Sequence, residues 1–195
     1  VPVGSILTMA GTGSEMNSGS VITNEAENLK IGRVYPLAMV TPRFSILNPE
    51  FTCTVSAYQT ACGITDIMIH VFERYFTNTT NVETTDRLCE GLLKAMIEEG
   101  RKVMQDPTNY EARANIMWAG MIAHNNILGV GREQDWATHN IEHELSALYD
   151  CAHGAGLAVM SPAWMKYVYK HDITRCAQFA VRVWGCDMNF ANPEA

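Results

Sequence analysis

Over positions 1–50 the apolar residues come in short runs broken by small and turn-forming residues. Val3-Gly4-Ser5-Ile6-Leu7-Thr8-Met9 reads as a buried strand, and Ala10-Gly11-Thr12-Gly13-Ser14 as the turn that follows it. Ser20-Val21-Ile22-Thr23 is a second β-type run. Phe44-Ser45-Ile46-Leu47 is a third, bracketed by Thr41-Pro42 and Asn48-Pro49. From about Val55 the apolar spacing changes to mixed intervals of three and four, the period of an amphipathic helix. It predicts helices over Ala57–Phe76, Glu83–Met104, Tyr110–Leu128, Trp136–Tyr149, Leu157–Tyr169 and Ile173–Trp184. In the second, Leu88, Leu92, Met96 and Val103 share one side. Asn109 and Asp172 stand where N-caps are needed and Gly185 where the last helix must stop, while Pro162 is expected to kink or break the fifth. The pattern divides the chain into a β-rich segment, 1–50, and an all-helical one, 51–195, so the expected fold is mainly α.

Composition narrows the partners. The 195 residues are 47% hydrophobic and 18% charged, which is globular rather than disordered. Lys plus Arg number 14 against 21 Asp plus Glu, a net charge of −7 with no basic run, which argues against nucleic acid and anionic membrane as partners. No apolar run approaches the ~20 residues that span a bilayer, and no basic segment precedes an apolar one as in a signal peptide. Six cysteines lie scattered without a CxxC pair and read as free, mostly buried thiols, three disulfides being the alternative. The expected compartment is the cytoplasm. The chain starts at Val1 rather than Met and stops at Ala195, so both ends read as cut and the functional unit is expected to be longer.

The histidines carry the chemistry. Asp66 and His70 are four apart, which on a helix puts carboxylate and imidazole on one face, able to hold one ion. The segment around them is apolar, where an unpaired carboxylate costs several kcal/mol. An Asp–His hydrogen bond or a solvated face would also account for the pair. His139 and His143 repeat the spacing, and His153 follows a short connection, Tyr149–Ala152. Solvated or helix-capping histidines are the alternative there. Together the two clusters point to a metal site of one carboxylate and several imidazoles. With no thiolate in the pattern, the donors suit a divalent first-row ion such as Fe²⁺ or Zn²⁺ in a catalytic role rather than a structural zinc. A competing motif is His139-x-x-Glu142-His143, the inverted zinc-peptidase signature, in which both histidines bind zinc and Glu142 is the general base. It leaves Asp66, His70 and His153 unexplained.

Segments across the whole chain also carry a family resemblance. They are Ile6–Glu15, Phe44–Pro49, Asp66-x-x-x-His70, Tyr110–Asn115, Met117-Trp118-Ala119, and Asp135-Trp136-Ala137-Thr138-His139 through His143–Ala147 to His153-Gly154. In this order the chain resembles the iron-containing, group III alcohol dehydrogenases, in the NAD(P)H-dependent butanol dehydrogenase branch. The resemblance implies a helical metal-binding domain of the iron-dependent alcohol dehydrogenase and dehydroquinate synthase-like fold. The strands before it would be the edge of an α/β dinucleotide-binding domain. Asp66, His70, His139 and His153 would be the metal ligands, and His143 a proton relay beside nicotinamide and substrate. Thr8, Thr12, Asn17, Lys30 and Leu47 match family positions near the NAD or NADP cofactor. The implied reaction moves a hydride between NAD(P)(H) and a small primary alcohol or aldehyde such as butanol or butanal, with Fe²⁺ or Zn²⁺ as metal and a homodimer as the full-length assembly. Phe72, Trp136 and Trp164 are candidates for the apolar wall of an alkyl site, with core packing as the alternative. The family's Gly-Gly-Gly-Ser pyrophosphate loop has no counterpart here, and Gly11-Thr12-Gly13-Ser14 is not that loop. A non-catalytic helical fragment is therefore a second reading.

Overall fold

Helix α2 (Ala57–Tyr75) is the element around which the others assemble, packing against α3 (Glu83–Gln105), α4 (Tyr110–His124) and α6 (His153–Val168). The computed structural model describes residues 2–189 and 191–192; Val1 and Ala195, the ends that read as cut, lie outside them. α5 (Ala137–Tyr149) lies on α6, and α7 (Ile173–Trp184) on α3. Each start has a local cause. Ser56, Asn109 and Asp172 accept hydrogen bonds from the backbone N–H groups of Gln59, Ala112 and Arg175 at 3.2, 2.9 and 2.9 Å. Gly185 ends α7 at φ 72°, a conformation that favours glycine. The core gathers Ile67, Val71 and Tyr75 of α2, Leu93 and Met96 of α3, Ile116 of α4, and Phe179 and Val183 of α7.

The helix boundaries differ from the sequence pattern at three places. α4 stops at His124, because Asn126 takes φ 74°; a 3₁₀ turn, Ile127–Gly129, then carries Leu128 back into the core. α6 begins at His153, four residues before Leu157. Its first turn holds two glycines, which mute the apolar period, and it needs them: a Cβ on Gly154 would run into the Cys62 carbonyl of α2. α6 also continues through Pro162 rather than breaking there. In α3 the inner face is Cys89, Leu93, Met96 and Val103, while Leu88 is exposed. The face is rotated because Asp86 and Glu90 are buried too, so an apolar-only reading misplaces it. The free cysteines run from buried (Cys62, Cys89) to exposed (Cys186).

The first segment forms two small sheets. β1 (Gly4–Ile6) pairs in parallel with β4 (Phe44–Ile46), and β2 (Gly19–Asn24) pairs antiparallel with β3 (Leu29–Val34). A one-turn helix, α1 (Leu37–Val40), separates β3 from β4. β1 is shorter than the run Val3–Met9, and it is not buried: Val3, Ile6 and Met9 are exposed and Leu7 alone of these is inside. A two-stranded sheet with no second layer among the described residues cannot cover both faces. The β2–β3 hairpin packs its second strand on α5 and so roofs the helical part. No helix among the described residues is long and apolar enough to cross a membrane.

Candidate metal centre

Asp66 and His70 sit one turn apart on the buried face of α2. α5 contributes His139 near its start, and α6 contributes His153 as its first residue, held close to α2 by Gly154. The Nε2 atoms of His70, His139 and His153 lie 3.4, 3.5 and 3.6 Å from Asp66 Oδ1. Donor atoms of Asp66, His139 and His153 fall within 4.8 Å of one another, and His70 meets the same oxygen beside them. Asp66 Oδ1 and His139 Nε2 are buried without a hydrogen-bond partner. Unpartnered polar atoms at such depth cost roughly 1–3 kcal/mol each, more for a charge. A shared cation removes that cost. Separations near 3.5 Å are also those between ligands on about 2.1 Å metal bonds in a tetrahedron. The donor set therefore fits a divalent first-row ion. Burial works against the Asp66 charge, but His70, His139 and His153 outweigh it and hold the carboxyl far below its usual range.

Two glutamates aim the histidines. Glu73 Oε1 accepts from the His139 ring Nδ1 at 2.7 Å, from the His139 backbone N–H at 3.1 Å, and from Thr138 Oγ1. Glu142 Oε2 holds His153 Nδ1 in the same way. A carboxylate on Nδ1 keeps the proton there and turns the Nε2 lone pair to the centre. Glu142 is fully buried and lies 4.0 Å from Lys30 Nζ. That position suits orienting His153, not activating a water for peptide hydrolysis. Among the described residues no candidate metal group joins His139 with His143, as the inverted zinc-peptidase signature requires.

His143 stands beside the centre, its ring 5.3 Å from that of His153. Burial first, then His153 and Lys30, push its pKa down to about 4, so it is neutral at pH 7. His124 lies flat against His70, with ring centroids 4.0 Å apart. Burial and then Arg74 hold it at about 4 as well.

These groups open on a cavity of about 520 Å³. Asp66, His70, His139 and His153 line one side, and Thr12, Asn17 and Lys30 of the first segment line it too. Lys30 Nζ donates to Ser146 Oγ at 2.8 Å, and Asn17 Nδ2 donates to the Thr12 carbonyl at 2.8 Å. Thr8 and Leu47 are not brought to this cavity: Thr8 is exposed beyond β1, and Leu47 is half-buried beyond β4. Trp136 lines the cavity, whereas Phe72 packs edge-on to Phe76 and Phe179 in the core, and Trp164 to Phe76. The sequence pattern missed Glu73, the orienting role of Glu142, and His124. Glu73 carries the same signal as Asp66, a carboxylate in an apolar helix; His124 shares no spacing with the other histidines.

Known proteins share this arrangement of chain. The model of the Fe-containing alcohol dehydrogenase family, C-terminal part, matches residues 60–194. NADH-dependent butanol dehydrogenase B of Clostridium acetobutylicum is 46% identical over 188 residues, 96% of this chain and 48% of that protein. NADPH-dependent aldehyde reductase YqhD of Escherichia coli is 40% identical over 187 residues, covering 94% of this chain and 47% of that protein. The crystal structure of NADH-dependent butanol dehydrogenase A of Thermotoga maritima superposes with a TM-score of 0.93 at 39% identity, over 97% of this chain and 47% of the other. The chain spans about half the length of the curated relatives it matches.

Proposed function

Since the chain belongs to the Fe-containing alcohol dehydrogenase family, in its butanol dehydrogenase branch, we propose that it serves hydride transfer between NAD(P)(H) and a small primary alcohol or aldehyde such as butanol or butanal. The observation that carries this reading is the convergence of Asp66, His70, His139 and His153 on one buried point at the wall of a cavity that Thr12, Asn17 and Lys30 also line. The four would hold Fe²⁺ or Zn²⁺. When bound, such an ion supplies Lewis acidity that polarises the substrate C–O group.

The chain's own residues do the rest. Glu73 and Glu142 fix the rings of His139 and His153. Trp136 gives the cavity an apolar wall. Thr12, Asn17 and Lys30 face the cofactor side, as part of the dinucleotide-binding edge formed by residues 1–50. When bound, reduced nicotinamide would supply the hydride for an aldehyde carbon, and one proton must reach the oxygen. His143, half-buried and next to His153, relays that proton. Its ring is neutral at pH 7, so it relays by accepting a proton on one ring nitrogen while the other nitrogen releases its own to the oxygen. The six free thiols fit the reducing cytosol.

The test is NAD(P)H oxidation with butanal, followed by absorbance before chelation, after it, and after Fe²⁺ or Zn²⁺ is returned. The reading requires loss and recovery of the rate. A rate indifferent to chelation contradicts it, and bound metal with no nicotinamide oxidation favours the non-catalytic module.

A further inference from the structure

His124 ends α4 and is one of the cavity-lining residues beside the metal centre. Its ring is clamped: it stacks on His70 at 4.0 Å and 11°, and Trp136 meets it edge-on at 5.6 Å. Gly13, at φ 59°, lets the turn Gly11–Ser14 close over it, since a Cβ there would fall 2.7 Å from His124 Cβ. Arg74 Nη2 lies 3.4 Å from His124 Nδ1. The same guanidinium donates to the His70 carbonyl at 2.7 Å and sits over Trp136 at 4.8 Å, so it is itself fixed. A guanidinium only donates; Nδ1 therefore accepts, and this bond assigns the ring proton to Nε2. Nε2 has no partner among the described residues. The neighbouring imidazoles direct Nε2 to Asp66, and Trp136 offers an apolar ring. His124 is thus a held donor on the cavity wall, one ring away from a metal ligand.

We propose that His124 donates a hydrogen bond from Nε2–H to a second oxygen of the substrate, making it a specificity-determining residue that favours small aldehydes with a hydroxyl beside the carbonyl over plain alkanals. This rests on the dehydrogenase reading above. His124 lines the same cavity as Asp66, His139 and His153, so a substrate held there can present a second oxygen to it. A donor fixed in place discriminates through the hydrogen bond that a second oxygen accepts and a plain alkanal cannot.

The experiment compares the metal-loaded enzyme with its His124→Leu and His124→Gln variants, using glycolaldehyde and acetaldehyde as a matched pair. In His124→Leu the ratio of kcat/KM for glycolaldehyde over acetaldehyde falls about 10- to 100-fold, and His124→Gln restores part of it. A purely structural role would lower both substrates together and leave the ratio unchanged. An unchanged ratio overturns the proposal, as does a raised KM for the nicotinamide cofactor in its place. If the wild type reduces neither aldehyde, the dehydrogenase reading fails on its own. Calorimetric titration of the zinc-loaded protein with ethylene glycol and ethanol then decides: a glycol preference lost in His124→Leu supports the proposal, and no preference overturns it.

Discussion

Glu73 does more for the site than its place outside the proposed ligand set suggests. Its carboxylate gathers the His139 ring, the His139 backbone and the Thr138 hydroxyl, across a separation of 66 residues for the ring. Carboxylates that hold a ligating imidazole typically contribute 10- to 100-fold in metal affinity. Glu73→Gln, which removes the charge and keeps the shape, should weaken metal binding about 10- to 100-fold; competition with a chromophoric chelator measures it, and unchanged affinity would contradict the orienting role. The four proposed ligands were legible because they fall in two local clusters, one within a single helical turn and the other within fifteen residues. Asp66 and His70 share a helix face, and His139 and His153 lie on α5 and at the start of α6, the next helix. Glu73 with His139 and His124 with His70 were not legible, since each pair lies far apart in sequence and meets only in the folded chain. Of the positions that the family resemblance places near a cofactor, Thr12, Asn17 and Lys30 come to the cavity, but Thr8 and Leu47 do not.

Among the elements, α2 and α6 set the geometry by their close approach. Gly154→Val should push α6 from α2 and carry His153 with it, giving about 1–3 kcal/mol of destabilisation together with weaker metal binding. Thermal melts with and without metal separate the two effects. The helices α3 and α7 are tied by a different device. Arg132 and Arg175 donate to the Asp86 carboxylate at 2.7 and 2.5 Å, and Gln178 at 3.0 Å. Burial works to raise the Asp86 pKa, but the bonds from Gln178, Arg132 and Arg175 outweigh it and hold it below the usual value. A depressed carboxyl contributes stability above its ordinary pKa of about 3.9 and loses it as the pH falls through the folded value. Acid should therefore loosen the contact of α7 with α3. Asp86→Asn should cost about 3 kcal/mol at pH 7, because two buried guanidinium groups lose their counter-charge. It should also flatten the fall of stability below pH 4; urea melts from pH 3 to 7 test both. These buried charges explain why the helices were legible while the rotation of α3 was not. Periodicity counts apolar residues, and Asp86 and Glu90 face inward without being apolar.

Across the whole molecule, the change from β-type runs to helical period near residue 55 survives in the structure, because both periods are local. Strand pairing is not local. β1 reaches across to β4, where Ser5 and Ser45 hydroxyls meet at 2.8 Å over 40 residues, and nothing in either run announces the other. The proposed ligand side chains all come from α2, α5 and α6, so ion binding would draw on the helical packing itself. Removing the ion should lower the melting temperature by several degrees, since a ligand at 100 times its Kd stabilises by about 2.7 kcal/mol. Calorimetry before and after chelation reads that shift directly. Elemental analysis of purified wild type, His139→Ala and His143→Ala bears on the assignment most closely. One divalent ion per chain in the wild type, retained in His143→Ala with a lowered rate and mostly lost in His139→Ala, is the expected result. Release of the ion by His143→Ala with retention by His139→Ala would contradict it.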